Sequence, residues 1–532
     1  MQNRDQESHL SRYLMILIPI VLSLFTHLWN LDGFPDIYRD EDHYLRKTMH
    51  VLRGLGPQEG SNELVSYPLH PYTHPYFGQL FLAAVLGTFG YPDSLAPSAD
   101  VTSIKSIFLV PRILMGILAI TDTFLLFKIT ERRYNRTVAF VASILFAVMP
   151  FTWLLRRVWL EPIQLPFLLS AILLAMYSSS NVRNRQVTSV ILSGMFLGMA
   201  IFTKVSVFTM IPLIGYMVFS YGKRNPKLIC IWIIPVILIP LAWPEYALWL
   251  GQFSGWIDGV LWQSERENSG FYSSIAKLFA IDPVFIVLAL AGSVLTFLKR
   301  DIFMFLCLVP FLVFILFLGY VSYWHLIPLL PGFCIAAARL ITTVPRPFKD
   351  RKLNKILPYV LVSAIGLFGI VSTTLLISLN LTSFHYQVIS SIGNEVQKTT
   401  ASVNDKNSTD NEDKSRETKI LTVLGRNYWL WIPKYILDKN QTSDYKSYYE
   451  NGGIKTKKAL LVAGDGFISD MVRDNNTAFN IEGLRSLYVN STSVRTIGDN
   501  KTEFLDFSNY PYSGLLDLDP KAATAVNIVT NY

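Results

Sequence analysis

Six places along the chain gather residues able to carry chemistry. The run Tyr38-Arg39-Asp40-Glu41-Asp42-His43-Tyr44 sets three carboxylates side by side and follows them with an imidazole. Further on come Thr73-His74-Pro75-Tyr76, Arg112, the turn Arg156-Arg157 with Glu161, Lys204, and Tyr323-Trp324-His325. A carboxylate can take the proton from an attacking hydroxyl, or join its neighbours around Mg²⁺ or Mn²⁺, which favour oxygen ligands. Arginine grips a phosphate through paired hydrogen bonds, and lysine does so as a point charge. Each feature also has a plainer reading. The acidic run can be a solvated loop, Arg112 and Lys204 can snorkel to lipid headgroups, and His43, His74 and His325 can be hydrogen-bonding interface residues. Of Arg156 and Arg157, one is expected to be structural. Gly464-Asp465-Gly466, after an apolar run, reads as a turn.

The elements that must hold these residues are membrane helices. Of 532 residues 51% are hydrophobic and only 16% charged, where soluble domains carry about a quarter charged; mean hydropathy is +0.34. Eleven apolar blocks approach the roughly 20 residues needed to cross a bilayer: Tyr13–Trp29, Ile107–Phe127, Thr137–Trp153, Pro162–Tyr177, Val187–Thr203, Val205–Tyr221, Leu228–Leu248, Phe279–Leu298, Ile302–Tyr320, Trp324–Thr343 and Ile356–Leu379. A twelfth, Phe77–Tyr91, is short and broken by glycines, and reads as a juxtamembrane or re-entrant helix. Trp256 and Trp262 read as interfacial anchors. All three cysteines lie in apolar blocks, so no disulfide framework is expected.

Charge sets the expected topology. The net +8 excludes a nucleic-acid footprint, because the excess lies in short loops, while Asn380 to Tyr532 holds 17 basic and 18 acidic residues. One set of short loops carries fifteen basic residues, beginning with Arg132, Arg133 and Arg136; the opposite set carries five. The positive-inside rule then places the N-terminus in the cytoplasm, as a retained signal anchor, and the C-terminus outside a plasma membrane. The long first external loop is 31–106, and residues 1–380 form the membrane domain. Residues 381–418 are read as a linker and 419–532 as a small extracytoplasmic α/β domain, with Lys419–Leu424 and Ala459–Val462 as buried strands. Six Asn-x-Ser/Thr sequons, at Asn380, Asn407, Asn440, Asn475, Asn490 and Asn500, fit that exterior placement as candidate glycosylation sites.

Several motifs in order resemble one family. Asp40-Glu41-x-His43-Tyr44, then His74-Pro75-x-x-Gly78, Arg112 with Gly116, Arg156-x-x-x-x-Glu161, Gly194-x-x-x-Gly198-x-Ala200-x-x-Thr203-Lys204 and Tyr323 to Pro331 look like the protein O-mannosyltransferases and their prokaryotic relatives in glycosyltransferase family 39. The resemblance covers roughly residues 10–345 and implies a polytopic GT-C fold. Departures exist: Gln79 stands where the family has lysine, Glu161 replaces an aspartate, and no β-trefoil insertion is present. Gly255-Trp256-Ile257-Asp258-Gly259 does not match the tryptophan-rich signature of oligosaccharyltransferases.

The resemblance implies transfer of a hexose, mannose being one candidate, from a polyprenyl-phosphate sugar to an acceptor hydroxyl of a protein Ser/Thr, a lipid or a glycan on the outer face. Asp40 is then the general base, with Glu41 orienting the acceptor or sharing that role. Arg112, Arg156 and Lys204 stabilise the departing phosphate, and His43, His74, Glu161, Tyr323 and His325 bind substrate. A monophosphate donor requires no cofactor or metal. The abundant sequons and the missing disulfides suit an archaeal cell surface. Two rivals stand beside this: a lipid-modifying transferase of the aminoarabinose type, and a transporter or flippase, which should place polar or broken helices at the bilayer midplane.

Overall fold

The computed structural model describes residues 2–37, 39–57, 72–95, 101–266, 271–318, 321–343 and 351–404. In the C-terminal part it describes five strands with residues 432 and 491. Each of the eleven apolar blocks overlaps helix among the described residues, two of them, Thr137–Trp153 and Phe279–Leu298, across a sharp bend. The first five helices are α1 (Gln2–Leu28), α2 (Arg39–Leu52), α3 (Phe77–Thr88), α4 (Val101–Arg133) and α5 (Arg136–Val148). Then come α6 (Leu160–Met176), α7 (Arg183–Thr203), α8 (Ile211–Tyr221), α9 (Pro226–Trp249) and α10 (Phe253–Glu265). The rest are α11 (Phe271–Ile281), α12 (Pro283–Leu298), α13 (Ile302–Phe317), α14 (Leu330–Thr343), α15 (Arg351–Ile377) and α16 (Ser383–Asn404).

Among the described residues six helices are long and apolar enough to cross a membrane, and up to eight spans result if each bent pair counts once. One bend, 68°, follows α5; the other, 116°, separates α11 from α12. That sharp bend lies at Asp282, whose carboxylate caps α12 by accepting from Phe285 N at 3.0 Å and also reaches Phe151 N at 3.3 Å. Within three other blocks, Tyr13–Leu28, Val205–Tyr221 and Ile302–Phe317 are shorter apolar helices. α3 has 12 residues, about 18 Å at 1.5 Å per residue, too short for a hydrocarbon core of about 30 Å.

Small residues let helices touch backbone to backbone. On α7, a Cβ added at Gly194 or Gly198 would meet the carbonyls of Trp232 and Pro235 of α9. At the bundle end that carries Arg132 and Arg133, Asp301 ties three elements together. It accepts from Arg133 at 3.2 Å and from Tyr134 at 2.8 Å, and pairs with Arg339 of α14.

The stretch read as the start of a linker is instead helix α16. Tyr386, Val388, Ile389 and Ile392 give it an apolar face, buried in one cluster with Ile107 and Phe108 of α4. Beyond it, β1 (Lys419–Val423), β2 (Thr442–Asp444), β3 (Ala459–Gly464), β4 (Ser493–Ile497) and β5 (Val526–Thr530) form one sheet in the order β2-β1-β3-β5-β4. β1 runs parallel to β2 and β3, while β5 pairs antiparallel with β3 and β4. Leu461 lies in register with Leu421 and with Val529. Gly464 closes β3; the rest of the Gly-Asp-Gly run lies outside the described residues.

Candidate active site

The acidic run opens α2, where carboxylates also suit the positive end of the helix dipole. Successive helical residues point about 100° apart, so Asp40 and Glu41 face different surroundings. Glu41 is fully buried and accepts two parallel bonds from Arg112, Nε to Oε1 and Nη2 to Oε2, each 2.8 Å. Arg112 Nη1 also donates to Leu31 O at 3.1 Å, and Val158 N lies 3.4 Å from Glu41 Oε1. Asp40, half-buried, faces a cavity.

Two arginines expected at a phosphate thus have protein partners instead. Arg112 is committed to Glu41. Arg156, fully buried, donates to three carbonyls, those of Thr26, Trp29 and Phe34, closing the C-terminal end of α1. Its neighbour Arg157 donates to Asp36 O at 2.7 Å and lies over the rings of Trp153 and Trp159. The Asp36 carboxylate meets His385 Nε2 of α16 at 3.0 Å. The same loop is held by Leu381 N to Gly33 O at 2.7 Å and by Thr382 to Asp32 O. The chain just beyond the last span therefore fixes the segment leading into Asp40.

The cavity encloses about 580 Å³. Asp40, His43, His74, Lys204, Arg266 and His325 supply its charged and imidazole lining. Trp243, Trp256, Trp262 and Trp324 add aromatic surface, and Phe311, Phe314, Ile315 and Leu318, at the end of α13, form an apolar wall. The structure thus brings five sequence-expected residues together here: Asp40, His43, His74, Lys204 and His325. It leaves Glu41, Arg112 and Arg156 outside the lining, and Glu161 and Tyr323 stand behind it. Glu161 is paired with Lys204, and Tyr323 is buried edge-on against Trp324 with centroids 5.0 Å apart. Lys204 caps α7 where the helix breaks, and Gln164 holds that break by donating to Ala200 O and Lys204 O.

His325 Nδ1 accepts from Ser322 N at 3.1 Å, which puts the proton of the neutral ring on Nε2. Burial, then the cations Lys204, Lys47 and Arg266, hold the His74 imidazole well below its usual range, so it is neutral near pH 7. Burial raises the Tyr44 hydroxyl well above its ordinary value.

Gln263, Arg266 and Trp243 were not singled out from the sequence. Arg266 carried a signal, as one of the five basic residues on the side of the bundle poor in them. Trp256 and Trp262 line the cavity, a role their reading as anchors missed. With Glu41 turned toward Arg112, the three adjacent carboxylates do not converge; among the described residues no three His, Cys, Asp or Glu are placed to hold a metal ion. Asn380 is exposed, its Oδ1 accepting from Ser383 N at 3.3 Å and Ser383 Oγ at 2.9 Å. Asn407, Asn440, Asn475, Asn490 and Asn500 lie outside the described residues.

Residues 101–246 match the sequence model of the dolichyl-phosphate-mannose-protein mannosyltransferases. No curated protein matches the chain in sequence. Among solved structures, ArnT from Cupriavidus metallidurans bound to undecaprenyl phosphate superposes with a TM-score of 0.53 at 9% identity, over 98% of both chains. The archaeal oligosaccharyltransferase AglB from Archaeoglobus fulgidus, in complex with an inhibitory peptide and a dolichol-phosphate, gives 0.50 at 12% identity. That match covers 86% of this chain and 69% of the other. At such identities the likeness is one of fold.

Proposed function

We propose, from the premise that the chain is a membrane glycosyltransferase of the GT-C class, that it moves a hexose from a polyprenyl-phosphate sugar to an acceptor hydroxyl. The observation carrying this is the mixed lining of the cavity, which combines Asp40, Lys204 and Arg266 with the apolar end of α13. A donor with a charged head on a hydrocarbon tail needs both surfaces at once. The matched mannosyltransferase model and the lipid phosphates named in the two structures support that donor class.

In this reading the acceptor oxygen attacks the anomeric carbon through an oxocarbenium-like transition state while Asp40 takes its proton. The bond from the anomeric carbon to the phosphate oxygen breaks, and the lipid phosphate leaves with the bonding pair. Lys204, with Arg266, lies on the cavity to meet that developing charge. Glu41 is a positioning residue here: its pair with Arg112 aims Asp40. Mannose is the leading sugar, and a protein Ser/Thr, a lipid or a glycan is the acceptor. No metal takes part.

The cavity opens to the exterior of the plasma membrane and the basic loops at the other end face the cytoplasm, which leaves the N-terminus inside and the C-terminal sheet outside. Supplying the reconstituted protein with radiolabelled polyprenyl-phosphate hexoses, with and without a chelator, tests this. Label should leave the lipid for a hydroxyl-bearing acceptor whether or not chelator is present. A protein that leaves every such donor intact is not this enzyme.

A further inference from the structure

We propose that Arg266 and Gln263 form a relay that fixes His74 as the tautomer protonated on Nδ1, so that its ring donates to an oxygen of the bound donor or acceptor. The relay itself is independent of the transfer reading; the identity of the oxygen rests on it.

Arg266 Nη1 lies 3.3 Å from Gln263 Oε1, and its guanidinium stacks over Trp262 at 4.9 Å. A guanidinium carries donors only. The Gln263 atom facing it must therefore be the carbonyl oxygen, and the amide cannot flip without losing that bond. The Gln263 Nε2 group, which only donates, is left 3.3 Å from His74 Nε2. A ring nitrogen that accepts bears no proton, so the single proton of the neutral ring sits on Nδ1. Burial and the nearby cations keep the ring neutral. Among the described residues Nδ1 has no hydrogen-bond partner, and it is not one of the sealed polar atoms. It stands on the cavity that also holds Asp40. Asp40 accepts a proton while His74 Nδ1 offers one, so the two give the bound oxygens opposite partners.

Replacing His74 separates the two nitrogens, because an asparagine amide sits near Nδ1 and a glutamine amide near Nε2. His74→Asn should keep transfer within a few-fold of wild type, and His74→Gln should lose it by roughly tenfold or more, about the worth of one hydrogen bond. A rise confined to the donor KM places the oxygen on the lipid-linked sugar; a rise confined to the acceptor KM places it on the acceptor. Nitrogen-15 NMR of histidine-labelled protein reads the tautomer without any turnover, with His74→Asn identifying the signal. Wild type should show an unprotonated Nε2 and a protonated Nδ1, Gln263→Leu a mixture, and Gln263→Glu a proton on Nε2. An Nε2-protonated ring in wild type, or His74→Gln outperforming His74→Asn, overturns the proposal. If the tautomer is as stated but no donor is consumed, the relay stands and the transfer reading falls.

Discussion

Glu41 and Arg112 form a fully buried, two-pronged ion pair with both bonds at 2.8 Å, and that pair separates two neighbouring carboxylates into different roles. One residue earlier, Asp40 is left facing the cavity. Breaking a buried pair by deleting one partner strands a charge and costs roughly 3–5 kcal/mol. Glu41→Ala should therefore lower the melting temperature of the purified protein sharply, whereas Asp40→Asn should leave it near wild type.

His385 meets Asp36 four residues before Asp40, so the tail clamps the loop that leads into Asp40. In His385→Ala the buried Asp36 loses a partner and the segment is free to shift. Misplacement by about 1 Å can cost on the order of 10²-fold, so kcat should fall roughly tenfold to hundredfold with little change in KM. A change confined to KM would argue that the clamp does not act on Asp40.

The apolar wall gives a test with two substrates. Phe314→Asn should raise KM for a long-chain polyprenyl-phosphate hexose at least several-fold, since fully burying a Phe-sized apolar surface is worth about 1.5–3 kcal/mol. It should leave KM for a short-chain, water-soluble analogue nearly unchanged. Steady-state kinetics with the two donors decides it.

His74 links stability to pH. Its folded value lies below that of the unfolded chain, so between the two values the unfolded state binds the extra proton and stability rises with pH. As pH falls below about 6.5, the unfolded imidazole value, wild type should lose stability, and His74→Asn should lose less. Melting curves at pH 5.5 and 7.5 measure the difference.

Much of this was legible in the sequence, because twenty-residue apolar blocks leave few alternatives in a bilayer. Helices α10, α11 and α16 escaped, each too short or too polar to stand out by hydropathy. The division between Asp40 and Glu41 was within reach: Leu45, Met49 and Leu52 recur at helical spacing after the acidic run. Reading them as one face would have put the two carboxylates about 100° apart. Arg112 and Arg156 could not be resolved this way. A basic residue near a helix end looks the same in sequence whether it meets lipid, ligand or a carbonyl, and only the packing of α1, α2 and α4 decides.

In the proposed reaction Asp40 takes the acceptor proton in a cavity shared with Lys204. The most direct measurement is sugar transfer from a radiolabelled polyprenyl-phosphate hexose by wild type and Asp40→Asn in the same proteoliposomes, with melting temperatures in parallel. The expected result is a loss of at least 10²-fold, the lower end for general-base catalysis, at unchanged melting temperature. Transfer by Asp40→Asn at the wild-type rate would contradict it.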